Sequence, residues 1–334
     1  MKIALAYNLK PTSVPAWDDT YAEWDDLETI EAVRDALAAD HEVVLVEADA
    51  RVESRIVQAA PDLIFNMAEG WHGAWREAQL PALLEHLKIP FTGSSARTLA
   101  LGLDKAATKR VLRQHGLPTP DGVVMHQPDQ ACDLSSFPLM VKPLYEGSSK
   151  GIWGESVVSN PVDLRRQVRR VLERYEQPAL VETFLPGREF TVALLGNGVH
   201  VEVLPVVEIR FSALHREAVP IYSYEAKWLW DTPARPLDIF HCPAEIDAAL
   251  AEQLAALCRR AFRALECRDW CRIDVRLDAC GAPAILEMNP LPGILPHADS
   301  HSCFPQAAAQ AGMTYTDLIR RVVALACERY ELSG

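Results

Sequence analysis

Residues 271–289 read CRIDVRLDACGAPAILEMN. Apolar and polar residues alternate on both sides of Cys280-Gly281, the pattern of two strands joined by a tight turn. Successive side chains of a strand point to opposite faces. Arg272, Asp274 and Arg276 therefore share one face of the first arm, and Ile273, Val275 and Leu277 the other. In the second arm Glu287 and Asn289 share a face while Leu286 and Met288 point away. If the two polar faces coincide, Asp274, Glu287 and Asn289 converge as three hard oxygen ligands. That set suits a magnesium ion that holds substrate phosphates. Arg272 beside it would stabilise charge developing on a transferred phosphoryl group or an oxyanion. A half-exposed hairpin with a salt-bridged outer face accounts for the pattern equally well.

Two upstream stretches bear on that choice. In KPLYEGSSKG (142–151) a lysine ends an apolar strand and a Gly/Ser loop follows. Gly147 and Gly151 let the backbone approach a ligand, and the N–H and hydroxyl groups of Ser148 and Ser149 can cradle phosphate oxygens. No GK[ST] triplet closes the loop, so it is not a Walker A sequence. In isolation a solvated surface loop explains it better. In VETFLPGREFTV (181–192) Glu182 ends a strand, an apolar turn follows, and Glu189 begins the next strand. An apolar linker whose backbone faces a slot suits adenine; a plain connector is the simpler reading. The segment 189–209 predicts two strands joined at Gly196-Asn197-Gly198.

The first third alternates strand and helix. KIALAY (2–7), EVVLV (42–46), DLIFN (62–66) and IPFTG (89–93) read as strands. Leu27, Ile30, Val33 and Leu37 form one helical stripe, and Leu80, Leu83, Leu84 and Leu87 another. This order implies a parallel sheet with crossover helices. Asp104 caps a helix running to Gln114, Gly116 ends it, and Pro118 and Pro120 forbid its return, which marks a joint. Helices are also predicted over 163–175, 244–265 and 315–330.

The chain has 334 residues, 49% apolar and 24% charged. At about 150 residues per domain this predicts two or three globular domains. No apolar run is long enough to cross a bilayer, so no membrane partner is expected. A net charge of −13 argues against a general nucleic-acid partner. It leaves room for an anionic substrate, because a lysine cluster or a metal reverses the field locally. Eight cysteines are scattered without a CxxC pair. They read as reduced thiols, and with no signal-peptide layout the expected location is cytoplasmic.

The three constellations and Lys105 upstream stand in the order of a known family. The chain resembles the D-alanine–D-alanine ligase branch of the ATP-grasp superfamily. The resemblance rests on HG (72–73), IPFTGS (89–94), LDK (103–105), LPTP (117–120), VKPLYEGSSKG (141–151), VETFLPGREFTVA (181–193), YEAK (224–227), RIDVRLD (272–278), LEMNPLPG (286–293) and AAQAGMTYTDLI (308–319). It implies an α/β and α+β ATP-grasp fold of three domains. These are an N-terminal doubly wound domain over 1–100, a central lid domain over 101–187 and a C-terminal catalytic domain over 188–334.

By the same resemblance Lys105, Lys142 and Lys227 contact the phosphates of ATP, and Glu182, Phe184, Leu185 and Glu189 line the adenosine pocket. Ser148 and Ser149 sit in the lid loop. Asp274, Glu287 and Asn289 hold two magnesium ions. Arg272 steadies an acyl phosphate and a tetrahedral intermediate, helped by N–H groups around Gly293. Ser302 holds the carboxylate of a second amino acid, and His72 belongs to the substrate side. The implied reaction joins a carboxylate to an amine through an acyl phosphate, releasing ADP and phosphate. Small amino-acid-like substrates follow, and homodimers are usual in the family.

The departures fall on the substrate half. The family opens with a glycine-rich loop and then a glutamate that grips the first D-alanine's ammonium. Here the first strand runs into Tyr7-Asn8-Leu9-Lys10-Pro11 and the acidic segment DDTYAEWDDLE (18–28). Glu23 is the nearest candidate for that glutamate, with Asp25, Asp26 and Glu28 as rivals. A tyrosine usually follows YEAK; here Trp228 does, and it has no hydroxyl to accept a hydrogen bond. His297, Asp299 and His301 fall near the expected second-substrate pocket. Trp17, Trp24, Trp71, Trp75, Trp228 and Trp230 are expected to flatten the walls of the substrate pocket. These features favour a ligase of altered specificity. An authentic cell-wall D-alanine–D-alanine ligase and a non-catalytic nucleotide binder are the competing readings.

Overall fold

The structure, a computed structural model, describes residues 1–15, 17–134, 136–231, 237–296 and 302–332. The apolar run Lys2–Tyr7 forms β1, fully buried in its middle. It lies between β2 (Glu42–Glu47) and β3 (Leu63–Asn66), all parallel. α1 (Leu27–Ala38) and α2 (Val52–Ala59) make the crossovers. Asp26 caps α1, its carboxylate accepting from the Thr29 N–H. The strand expected over 89–93 is a single bridge between Phe91 and Ile64. Pro90 keeps it short, because it has no N–H for a ladder. α3 (Gln79–Leu87) and α4 (Ala96–Leu103) complete this layer.

α5 (Lys105–Gln114) begins where expected, with Asp104 accepting from the Ala107 N–H. Gly116 follows it at φ +63°, a conformation that favours glycine. A four-stranded antiparallel sheet comes next, built from β4 (Gly122–Met125), β5 (Leu139–Pro143), β6 (Val157–Val158) and β7 (Ala179–Thr183) in the order β4-β7-β5-β6. α6 (Pro161–Tyr175) buries Leu164, Val168 and Val171 against Val141 and Val181 of this sheet.

The third sheet holds β8 (Glu189–Asn197), β9 (His200–Val203), β10 (Val207–Ile209), β11 (Phe240–His241), β12 (Arg268–Leu277) and β13 (Pro283–Asn289). Its order is β11-β10-β8-β12-β13, with β9 also paired to β8. The two strands expected over 189–209 are three. The returning arm breaks between Val203 and Val207, around Pro205, and both pieces pair with β8. α7 (Ala248–Ala264) covers one face of this sheet.

α8 (Cys303–Gln310) and α9 (Tyr315–Tyr330) close the chain. α9 carries Leu318, Ile319, Val322 and Ala326 into the same core as Ile3, Leu5, Leu63 and Phe65 of the first sheet. The fully buried Trp270 of β12 meets the Phe65 and Phe304 rings at centroid distances of 5.7 and 5.9 Å. The first and third sheets therefore share one core. Among the described residues no helix is long and apolar enough to cross a membrane.

Candidate active site

The β12–β13 register sets Asp274 opposite Glu287 and Arg272 opposite Asn289. The two polar faces coincide, as the alternation requires. Asp274 Oδ1 accepts from Thr191 Oγ1 (2.7 Å) and Arg272 Nε (3.2 Å). Its Oδ2 accepts from Arg272 Nη2 and Asn289 Nδ2, both at 3.1 Å. A β-bulge after Asp274 breaks the pairing there, a device that aims side chains at sites. Lys105 Nζ lies 3.8 Å from Glu287. Two carboxylates and an amide oxygen fit a hard divalent cation.

Thr191, Arg272, Asp274 and Glu287 border a cavity of about 310 Å³ between the second and third sheets and the loop after β1. At one end Arg276 donates to Glu189 (2.8 Å) and stacks on the Phe184 ring, 4.8 Å from its centroid. Burial raises the Glu189 carboxyl despite this guanidinium. Leu185, Met140 and Ile209 supply apolar wall. Lys142, on β5, is 2.5 Å from Glu182 of β7. The other Glu182 oxygen is 2.7 Å from Lys109. Burial opposes a charge at Glu182, yet the two ammoniums hold its carboxyl down to about 2. Burial lowers Lys109 to about 8 despite Glu182. Sequence reasoning missed Lys109; its signal is the four-residue spacing from Lys105, which puts both on one face of α5.

The lid loop lies over the middle of the cavity. Ser148 and Ser149 hold φ of +48° and +60°, a left-handed conformation that costs each of order 1–3 kcal/mol. Ser149 Oγ donates to Tyr222 O (2.9 Å), and Lys227 Nζ donates to Ser148 Oγ (3.4 Å). Lys227 and Trp228 ride on a π-helical turn, Glu225–Trp230, a geometry frequent at functional sites. Burial, then the Arg272 charge, lower Lys227 to about 8. Trp228 Nε1 donates to Ser148 O (3.1 Å). Its ring is flanked by Lys10 and Lys227, at 4.9 and 5.1 Å from the centroid.

Gly293 and Ser302 line the far wall, with Ser302 Oγ donating to Gly293 O (3.1 Å). Asp25 also lines the cavity; burial and the Asp26 charge push its carboxyl well up. His72 is exposed and outside the cavity, with its carbonyl taken by Gln79 (2.8 Å). Of the six tryptophans expected at the pocket, only Trp24 and Trp228 line it. Trp17, Trp71 and Trp75 are exposed, and Trp230 packs near Leu214 and Ile239. A tryptophan's place in a segment fixes neither its rotamer nor its face. His297, Asp299 and His301 lie outside the described residues.

Glu23 does not present a free carboxylate. Arg76 Nη2 lies 2.6 Å from Oε1 and 2.7 Å from Oε2, and the Gly147 N–H donates to Oε1 at 2.8 Å. Arg76 is the second residue that sequence reasoning missed. Its neighbour Glu77 is raised to about 8 by burial, with Arg76 opposing. The folded chain thus keeps a proton there that the unfolded chain loses near 4.5. That stability is full below about pH 4.5 and falls as pH rises through about 8. Glu77→Gln is expected to flatten this decline, read as urea midpoints at pH 5, 6.5 and 8.

Residues 110–324 match the family model described as the D-ala D-ala ligase C-terminus. An uncharacterised protein of Sinorhizobium fredii is 37% identical over 302 residues, covering 88% of this chain and 85% of its own. A D-alanine–D-alanine ligase of Chromohalobacter salexigens is 37% identical over 267 residues, 79% and 77% of the two chains. The crystal structure of a Bacillus anthracis D-alanine–D-alanine ligase complexed with ATP superposes with a TM-score of 0.73 at 20% identity, covering all of both chains. The fold is therefore the ATP-grasp arrangement expected from the motifs, and the chain belongs to the D-alanine–D-alanine ligase family.

Proposed function

We propose that the protein is an ATP-dependent carboxylate–amine ligase, with ATP and two magnesium ions in the cavity described above. The observation that carries this reading is the convergence of Asp274, Glu287 and Arg272 at one cavity with Lys142 and Lys227, with Asn289 bonded to Asp274 behind them. The three domains divide near residues 100 and 187.

The adenine lies along Glu182–Leu185, with Phe184 and its stacked Arg276 as a wall and Glu189 toward the ribose. Lys105, Lys142 and Lys227 neutralise phosphate oxygens, and Ser148 and Ser149 close over them. Magnesium, held by Asp274, Glu287 and Asn289, would supply charge neutralisation at the phosphates. A substrate carboxylate attacks the γ-phosphorus, and ADP leaves, giving an acyl phosphate. The amine of a second substrate, placed by Ser302 and Gly293, attacks the acyl carbon. Arg272 stabilises the oxyanion, and phosphate leaves as the amide forms. The lid loop excludes water that would hydrolyse the acyl phosphate.

The specificity we propose is not that of two D-alanines. Trp228 spends its only donor on Ser148 O, and Glu23 is occupied by Arg76. A tyrosine–glutamate–serine network around a first D-alanine therefore has no counterpart here. The relatives named D-alanine–D-alanine ligases support the cell-wall reaction as the second reading. Phosphate release from Mg-ATP, scanned over pairs of amino acids, hydroxy acids and small amines with mass detection of products, decides between them. A different amide supports the first reading, and efficient D-alanyl-D-alanine formation the second. Absence of ADP with every pair refutes the ligase reading.

A further inference from the structure

Arg76 is the most heavily engaged side chain that the proposed chemistry does not use. It sits in the first layer of the fold, just before α3, and only 7% of its surface is exposed. Its guanidinium grips Glu23 through two nitrogens, with Nε at 3.1 Å and Nη2 at 2.6 and 2.7 Å. The same group reaches into the lid loop. Nη1 donates to Tyr145 O (2.8 Å) and Nη2 to Glu146 Oε2 (3.3 Å).

The lid loop answers with its own contacts. The Gly147 N–H donates to Glu23 (2.8 Å), and Lys150 Nζ lies 2.6 Å from Glu146 and 3.6 Å from Glu23. A Cβ on Gly147 would stand 2.6 Å from Glu23 Oε1, so a larger residue there would push the carboxylate off its present contacts. Glu69 and Glu77 place carboxylate oxygens within 4.8 Å of those of Glu23. Burial raises the Glu69 and Glu77 carboxyls, so Glu23 is the charge of this cluster that needs a partner, and Arg76 is its nearest cation, with Lys150 beyond.

We propose that Arg76 and Glu23 form a clasp that positions the lid loop over the reacting phosphates, with Arg76 as a positioning residue and Glu23 withdrawn from direct substrate binding. The clasp holds the segment immediately before Ser148 and Ser149, the two residues in left-handed conformation. A strained loop keeps its shape only when its surroundings over-determine it. Arg76, Glu23 and Lys150 do so from one side, and Tyr222, Lys227 and Trp228 from the other. A lysine at position 76 could not make the two-nitrogen grip. The role in turnover rests on the ligase reading; the mechanical role of the clasp does not.

The test pairs backbone hydrogen exchange with product stoichiometry in Arg76→Met, Arg76→Lys and Lys150→Met. Lys150 lies on the lid side of the clasp and guards against an Arg76 variant that fails to fold. The expected result is exchange on the order of tenfold faster over 145–151, with β12 and β13 unchanged. ADP formation should then exceed amide formation, because a loose lid admits water to the acyl phosphate. Unchanged exchange over 145–151 in whichever of these variants folds overturns the clasp. ADP and amide still formed one to one, in a variant with fast lid exchange, overturns its role in turnover. If wild type makes no ADP with any pair, the ligase reading fails, and the exchange result alone still decides the clasp.

Discussion

Asp274→Asn is expected to lower ADP formation by roughly 10²–10⁴-fold while the fold survives. The asparagine keeps the size of the side chain and one oxygen, so Thr191 and Arg272 retain an acceptor. It removes one of the two formal charges from the Asp274–Glu287–Asn289 set. It also strips Arg272 of the carboxylate that fixes its guanidinium at 3.1–3.2 Å. Metal-assisted charge stabilisation is worth several kcal/mol, and each 1.4 kcal/mol is about tenfold in rate. Turnover measured against magnesium concentration checks the assignment, because the variant should need far more metal even where some activity remains. Near wild-type turnover with an unchanged magnesium requirement would place the metal elsewhere.

Glu182→Gln should be the most destabilising single change of one polar group near the cavity. It leaves the Lys109 and Lys142 ammoniums, both buried, without the carboxylate that lies 2.7 and 2.5 Å from them. Removing one partner of a buried ion pair costs about 3–5 kcal/mol. The pH dependence has a definite sign. The folded carboxyl titrates at about 2 against an ordinary 4.5, so its contribution is full above about pH 4.5 and is lost as pH falls toward 2. The glutamine variant lacks that acid limb. Urea unfolding of wild type and variant at pH 7 and pH 4 measures both effects. Adding Lys109→Met to Glu182→Gln should recover part of the loss, since it removes one of the two facing charges. An equal midpoint for wild type and the single variant would show that the lysines find other partners.

The elements legible in the sequence are those whose cause is local. Asp104 and Gly116 bound α5, and Tyr315–Tyr330 is helical over the predicted span, because caps and 3.6-residue periodicity act within a few residues. The coincidence of Asp274 with Glu287 followed from alternation together with the position of the turn. Arg76 and Lys109 were hidden because their partners, Glu23 and Glu182, are 53 and 73 positions away in sequence and approach only after the sheets pack. The tryptophans misled for the same reason: Trp71 and Trp24 meet ring to ring at 5.6 Å, yet only Trp24 reaches the cavity. Alternation alone does not mark the break that Pro205 makes in the strand after Gly198.

The joining of α9 to the first sheet has a consequence for biosynthesis. Leu318, Ile319, Val322 and Ala326 fill the core that Ile3, Leu5 and Phe65 begin, and Arg329 ties Asp269 to the Phe91 carbonyl. A ribosome adds about 5–20 residues per second, so the first sheet waits on the order of 15–60 s for its covering helix. Throughout that interval α1 alone covers that side of the sheet, through Ile30, Val33 and Leu37, and the area that α9 will fill stands open to water or to a chaperone. The middle sheet, whose partners all lie within 122–183, can finish meanwhile. Expression in cells depleted of nascent-chain chaperones should therefore lose full-length protein through its first layer, and proteolytic fragments should retain the middle sheet.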